Sequence, residues 1–286
     1  MEAAGRRYIQ HSSRSDVFTL WFLGDIHLGA PGCEQSRLKA DLMQIAADPH
    51  SFWIGMGDNW DAISHRDKRF AADALDDEAK LNIGRLGKFY AEKIESLFRP
   101  ARHNCLGLLL GNHELKYGID NDQEDLHAWL CQELEVQNLR YSSILDLVFI
   151  RRSGSKLKLS YTFPGNQNDK KSNVFRVYVH HGSGGAATPG GKLNTLIKHM
   201  AMVDADIYAI GHVHDQKAQR MIQLGANADC TKITERQRLG VVSGAYLKTY
   251  QSGVTGYGEQ KGYAPCPLGP AKVRIWPDKR IFKSEI

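Results

Sequence analysis

Five short apolar runs in this chain each end where a glycine meets aspartate, asparagine or histidine. Val17–Leu23 runs into Gly24-Asp25-Ile26-His27, and Ser51–Met56 runs into Gly57-Asp58-Asn59-Trp60-Asp61. Cys105–Leu110 runs into Gly111-Asn112-His113-Glu114. Val174–Val179 meets His180-His181-Gly182, and Ile207–Ile210 meets Gly211-His212-Val213-His214. Brief apolar runs bounded by turn residues are the pattern of buried strands. Such strands need layers on both faces.

Between the runs the periodicity changes. Ser36–Ala47, Phe70–Phe98, Asp122–Leu134 and Lys192–Met202 carry apolar residues at helical spacing. Ser142–Ile150 and Lys156–Phe163 flank Arg152-Ser153-Gly154-Ser155 and predict a β-hairpin. Further strands are predicted at Lys232–Arg238, Gly240–Ser243 and Ala271–Trp276. Strand–helix alternation that gives way to strands predicts an α/β sandwich in one domain over residues 1–286. In open α/β folds the loops at the C-terminal strand ends converge on one crevice. The five polar blocks are therefore expected to meet in space.

Their chemistry is that of a metal centre. Imidazole and carboxylate donors together suit manganese, iron or zinc better than calcium, which prefers oxygen alone. Asp25-x-His27 and His212-x-His214 are expected on short extended segments, where residues i and i+2 face the same side. With one histidine from the fourth block, Asp25, His27, Asp58, Asn112, His212 and His214 make seven donors. Seven are too many for one tetrahedral ion and suit two ions that share a carboxylate. A single Gly-Asp or Gly-His after a strand is ordinary turn chemistry. Five at five strand ends are not.

The blocks, in this order from Gly24 to His214, resemble the calcineurin-like metallophosphoesterase superfamily. That family's pattern runs D-x-H, G-D-x-x, G-N-H-D/E, a strand-end His and G-H-x-H. The resemblance implies a two-sheet β-sandwich flanked by helices, four layers in the order αββα, with a dinuclear site at one edge. It implies that Asp25, His27 and His214 hold one divalent ion. Asn112, the strand-end His and His212 would hold the other, and Asp58 would bridge them. Manganese stands first among manganese, iron and zinc. The His-Gly form of the fourth block gives His181 as its ligand, whereas the His-x-Pro form leaves His180 open. Adjacent strand residues face opposite sides, so only one of the two serves a given ion. His113 would contact the scissile phosphate and assist the leaving oxygen. Asp61 would orient that histidine, or else cap a helix.

The implied reaction is attack on phosphorus by a hydroxide held between the two ions, without a phospho-enzyme. A phosphodiesterase or nuclease is the first expectation. A phosphomonoesterase acting on a nucleotide, metabolite or phosphoprotein is the second, and a catalytically silent interaction module the third. The second block lacks the Arg that follows the second Asp in the superfamily's protein phosphatases. A nucleic acid or nucleotide fits two segments, His65-Arg66-Asp67-Lys68-Arg69 and the Tyr- and Lys-bearing, Gly-rich stretch from Tyr246 to Tyr263. Either can equally be solvated surface. The run from Gly182 to Lys192 is Gly-rich but is no phosphate-binding P-loop, because Leu193 follows Lys192. It is similar to the fourth block of phage and prophage members of the superfamily.

Composition narrows the setting. A net charge of +5 is compatible with a phosphate-bearing substrate and too weak to specify nucleic acid. Five cysteines without a C-x-x-C pair argue against a disulfide framework or zinc ribbon. With no apolar leader and no membrane-length run, a cytoplasmic protein is expected.

Overall fold

The computed structural model of the chain describes residues 1–61, 77–121, 125–164, 172–253, 257–260 and 262–286. In chain order it begins β1 (Glu2–His11), β2 (Phe18–Leu23), α1 (Gln35–Ala47), β3 (Ser51–Gly55), α2 (Asp77–Leu81) and α3 (Leu86–Phe98). Next come β4 (Cys105–Leu108), α4 (Asn112–Asn121), α5 (Leu126–Glu133), β5 (Ser142–Arg151), β6 (Lys158–Ser160) and β7 (Ser172–His180). It continues with α6 (Pro189–Met202), β8 (Ile207–Ile210), β9 (Gln216–Ala226), β10 (Ile233–Ala245), β11 (Gly269–Trp276) and β12 (Ile281–Glu285).

The strands form two layers. The first runs β4-β3-β2-β11-β12 and the second β6-β1-β5-β7-β8-β10-β9. The layers join where β10 meets β11 through two pairings, Gly244 with Pro270 and Ala245 with Gly269. Alternation along the strands sorts their side chains. Leu20 and Phe22 of β2 turn inward to Leu145, Leu147, Val177 and Val241 of the second layer. Trp21 and Leu23 turn outward beneath α1, α3 and α5. On the far side Tyr178, Tyr208 and Val242 pack under Leu196 and Met200 of α6. Helices, sheet, sheet, helix: the architecture is an α/β sandwich with the αββα layer order.

Several local expectations are corrected. Ser142–Ile150 and Lys156–Phe163 do not pair as a hairpin, because β1 lies between β5 and β6. β1 pairs in parallel with β5 and antiparallel with β6. The predicted helix Phe70–Phe98 is interrupted in its described part by a 3₁₀ turn at Ile83–Arg85, centred on Gly84. Its first residues lie outside the described ones, as does His65-Arg66-Asp67-Lys68-Arg69. The helix predicted at Asp122–Leu134 starts at Leu126, with the Asp125 side chain capping Ala128 N. α4, β9 and β12 were not predicted. Lys232–Arg238 and Gly240–Ser243 are two parts of one strand, β10. No helix among the described residues is long and apolar enough to cross a membrane.

Candidate metal centre

Each of the five motif blocks begins where a strand of one sheet or the other runs out, and the blocks close on one another. Asp25 N donates to Gly57 O (2.9 Å), and Ile26 N and His27 N donate to Asp58 O (2.9 and 3.0 Å), which locks the first block to the second. Gly211 N donates to His180 O, which joins the fifth block to the fourth. Glycine is needed for such close approach. Gly57 has φ +91°, and a Cβ there would lie 2.6 Å from His181 Nδ1. A Cβ on Gly111 would lie 2.1 Å from Asp58 N.

The side chains gather into overlapping donor groups. Asp25, His27 and His214 form one, Asp58, His181 and His212 a second, with donor atoms in each within 4.8 Å of one another. His27 Nε2 and His214 Nε2 are 3.1 Å apart, and His214 Nε2 is 3.6 Å from Asp25 Oδ1. His181 Nε2 is 3.3 Å from Asp58 Oδ2 and 3.0 Å from Asn112 Oδ1. Asp58 Oδ2 is also 3.9 Å from His27 Nε2, so one carboxylate oxygen faces both groups. All seven sequence-predicted donors meet at one place.

The local backbone differs from the extended segments expected. Asp25, His27, Asp58, His212 and His214 all have φ between 44° and 70°. Nine non-glycine residues among those described lie in this left-handed region, so more than half of that strain sits at the candidate centre. Each such residue costs on the order of 1–3 kcal/mol and persists only where its surroundings over-determine it. Here His212 N donates to both Asp25 carboxylate oxygens (3.1 and 2.9 Å), and His113 N donates to Asp58 Oδ1 (3.0 Å).

The doubled histidine is separated by geometry. His181 is fully buried and its Nδ1 hydrogen-bonds Met56 O at 2.7 Å, which makes Nδ1 the donor and leaves the Nε2 lone pair for the cluster. His180 faces the other way: its Nδ1 accepts from Gly182 N, and its ring packs 4.5 Å from His199. His181→Ala is therefore expected to lose most bound metal, while His180→Ala keeps it. Metal analysis of the two purified variants decides, and the reverse pattern would move the ligand to His180.

His113 stands apart from the other imidazoles. Its Nδ1 lies 2.6 Å from Asp61 Oδ1, and its ring meets His27 edge-on at 4.6 Å. Burial works against its charged form, but Asp61, with Asp58 behind it, lifts the imidazole to about 9. By distance His113 also forms a donor group with His27 and Asp58, so proximity by itself does not separate it from the ligands.

The donor set fits divalent cations. Burial raises Asp25 to about 8, reinforced by the nearby Asp58 carboxylate. Burial would raise Asp58 too, but His181, His113 and His27 hold it well below the usual carboxylate range. Two buried carboxylates so placed cannot both ionise cheaply without a cation. No Lys or Arg among the described residues forms an ion pair with either. His212 Nδ1 is buried with no hydrogen-bond partner. Manganese, iron and zinc all accept this mixture of imidazole, carboxylate and amide oxygen.

Three supporting residues were not assigned roles from sequence. Glu114, buried in the first turn of α4, accepts from Asn59 N (2.6 Å), Asn59 Nδ2 (2.9 Å) and Asp58 N (3.2 Å). It ties the second block to the third. The Tyr141 hydroxyl donates to Gly182 O (2.9 Å), and its ring stands edge-on to both His180 and His181. The buried Lys192 donates to His214 O (3.2 Å) beside Asp215, which fastens the fifth block to α6. Glu114 had a signal in the G-N-H-E block. The other two carry none.

No family model matches the chain, and no curated protein matches it. Solved structures do. One is a single mutant of Vps29 from Entamoeba histolytica, 13% identical, with 94% of this chain and 97% of that one covered at a TM-score of 0.38. A second is a candidate 5′-nucleotidase from Staphylococcus aureus, crystallised with alpha-ketoglutarate. It is 12% identical with a TM-score of 0.43; 94% of this chain is covered, but only 53% of that longer one. A third is the calcineurin-like phosphoesterase YfkN from Bacillus subtilis, 11% identical, 91% and 85% covered, TM-score 0.32. The layered sandwich and the five motif blocks gathered at its strand ends have the αββα order and the strand-end placement that the resemblance of the motifs implies.

Proposed function

We propose that the chain is a dinuclear metal-dependent phosphodiesterase, with a nucleic acid or nucleotide diester as the substrate class. The observation that carries the dinuclear reading is Asp58 Oδ2, shared between the group at His27 and the group at His181. Asp25, His27 and His214 would hold one ion, Asn112, His181 and His212 the other. Bound there, the ions supply Lewis acidity and lower the pKa of a water so that it can act near neutral pH. The protein's own part is positional and protonic. Asp61 engages Nδ1 of His113, which leaves Nε2 to meet a phosphoryl oxygen or give a proton to the leaving oxygen. Asp25 and Asp58 are pinned by the amides of His212 and His113, so little reorganisation is needed when charge develops.

Charge supports a diester over a monoester. A monoester dianion brings an extra negative charge that phosphatases meet with Lys or Arg. Among the described residues, the cationic side chains paired with the carboxylates of this centre are imidazoles, and the Lys192 amine is already engaged by His214 O and Asp215. Metal-loaded protein is expected to cleave bis(p-nitrophenyl) phosphate faster than p-nitrophenyl phosphate by at least about tenfold in kcat/KM. EDTA treatment should abolish both activities and Mn²⁺ should restore them. A preference for the monoester would convert the reading to a phosphomonoesterase. A metal-loaded protein inert on both, and on single-stranded and duplex DNA and RNA, would leave only a silent interaction module.

A further inference from the structure

The outer face of β11 and β12 carries cations that the chain leaves unmatched. Residues 271–286 hold five, Lys272, Arg274, Lys279, Arg280 and Lys283, against two acids, Asp278 and Glu285. A net +3 of the chain's +5 thus sits on one antiparallel ribbon. Asp278 is already taken, since it pairs with Arg151 of the other layer. None of the five cations forms an ion pair among the described residues. Alternation along the ribbon sends Val273, Ile275 and Phe282 into the core between the sheets. Lys272, Arg274 and Trp276 of β11 therefore share the outer face with Ile281, Lys283 and Glu285 of β12.

The ladder sets Arg274 directly opposite Lys283, both exposed, with Thr19 of β2 on its other side. Like charges so opposed destabilise a sheet. Lysine on an edge strand does discourage stray strand pairing, but that purpose needs no arginine across from it. The Arg274 guanidinium lies over the half-buried Trp276 ring, 5.3 Å from its centroid, and the Lys272 amine lies 3.9 Å from that of Trp21. Mutually repelling cations beside a part-open indole match a partner that offers both negative charge and flat faces to stack. We propose that this ribbon binds single-stranded nucleic acid and holds the substrate strand away from the scissile phosphate. The choice of polyanion rests on the diester reading above. Thr19 precedes Asp25 by six residues, which sets the patch at most about 20 Å from the metal centre along β2. A strand of about six stacked nucleotides covers that span.

Fluorescence anisotropy with a labelled single strand of about 20 nucleotides, in EDTA, tests the face apart from the metal centre. The parent protein is expected to bind, with affinity that falls as salt rises. The double variant Arg274→Ala, Lys283→Ala should weaken binding at least about tenfold and flatten the slope of log affinity against log salt by about 1.4. Its melting temperature should hold or rise, because the repulsion across the ladder is gone. Loaded with metal, the variant should show KM raised at least about tenfold on the long strand and unchanged kcat/KM on bis(p-nitrophenyl) phosphate. A parent protein that cleaves that diester yet binds no single strand overturns the proposal and leaves the catalytic reading standing. Binding in EDTA by a protein inert on every diester would support the face and sink the catalytic reading instead. The proposal is also overturned by binding that the double alanine variant leaves unchanged, or by equal affinity for duplex. Displacement of the oligonucleotide by phosphatidylserine vesicles, and not by unlabelled single strand, would overturn it as well.

Discussion

Asp58→Asn lowers kcat by about 10³-fold or more and drops the bound metal from about two equivalents to one or fewer. The substitution is close to isosteric, and an amide oxygen can still accept from His113 N, so the loop keeps its shape. What disappears is the negative charge on the one oxygen that faces both His27 and His181. Either ion would then keep its imidazoles but lose the carboxylate that draws the pair together. Metal analysis after gel filtration, alongside kcat on a diester, reads both effects. A variant that retains two equivalents and near-normal turnover would rule out a shared carboxylate. The parent protein saturating at one equivalent would do so as well.

His113→Ala separates ligation from catalysis. The variant is expected to keep its metal content and lose at least about two orders of magnitude in kcat. The asymmetry follows from the ring's two nitrogens. Nδ1 is engaged by Asp61 at 2.6 Å, so Nε2 is the atom that can reach the substrate. If proton delivery to the leaving oxygen dominates, the loss shrinks for leaving groups as good as p-nitrophenolate and grows for alkyl esters. Equal losses across leaving groups would point to stabilisation of charge on the phosphoryl oxygens. Metal depletion would put His113 among the ligands, as its proximity to His27 and Asp58 permits. Asp61 should echo the histidine, because its contact holds the ring's orientation.

The parts legible in sequence were those whose periodicity is strong. β2, β3, β4 and β8 are buried along nearly all their length and β7 over Val177–Val179, so they read as short apolar runs, and their ends marked the donors directly. β1 was invisible because Glu2-Ala3-Ala4-Gly5-Arg6-Arg7 has no alternating apolar pattern. Arg7 is nevertheless buried, and donates to Leu106 O (3.0 and 3.3 Å) and Ala4 O (2.9 Å). Carbonyl groups satisfy that guanidinium, a solution that leaves no trace in local sequence. α4 was hidden for a different reason. Its first turn is the Gly111-Asn112-His113-Glu114 block, whose residues read as loop chemistry although the helix begins with them. The left-handed backbone at Asp25, His27, Asp58, His212 and His214 was equally out of reach. It arises from contacts between strand ends far apart in the chain.

Among the described strands, the two layers of the sandwich pair directly where β10 meets β11, Gly244 with Pro270 and Ala245 with Gly269. The two groups proposed to hold the ions both straddle them. Asp25 and His27 follow β2 while His214 follows β8, and Asp58 and Asn112 extend the first layer while His181 and His212 extend the second. Any ion held there would act as a rivet across this edge of the sandwich. Its binding energy is at the same time adhesion between the layers, amounting to about 2.7 kcal/mol when free ion stands a hundredfold above its dissociation constant. On the proposed function, supply of the ion would thus bear on how tightly this edge stays shut, in addition to whether the chemistry runs. Limited proteolysis with and without added Mn²⁺ is expected to show slower cleavage at these strand ends when the ion is present.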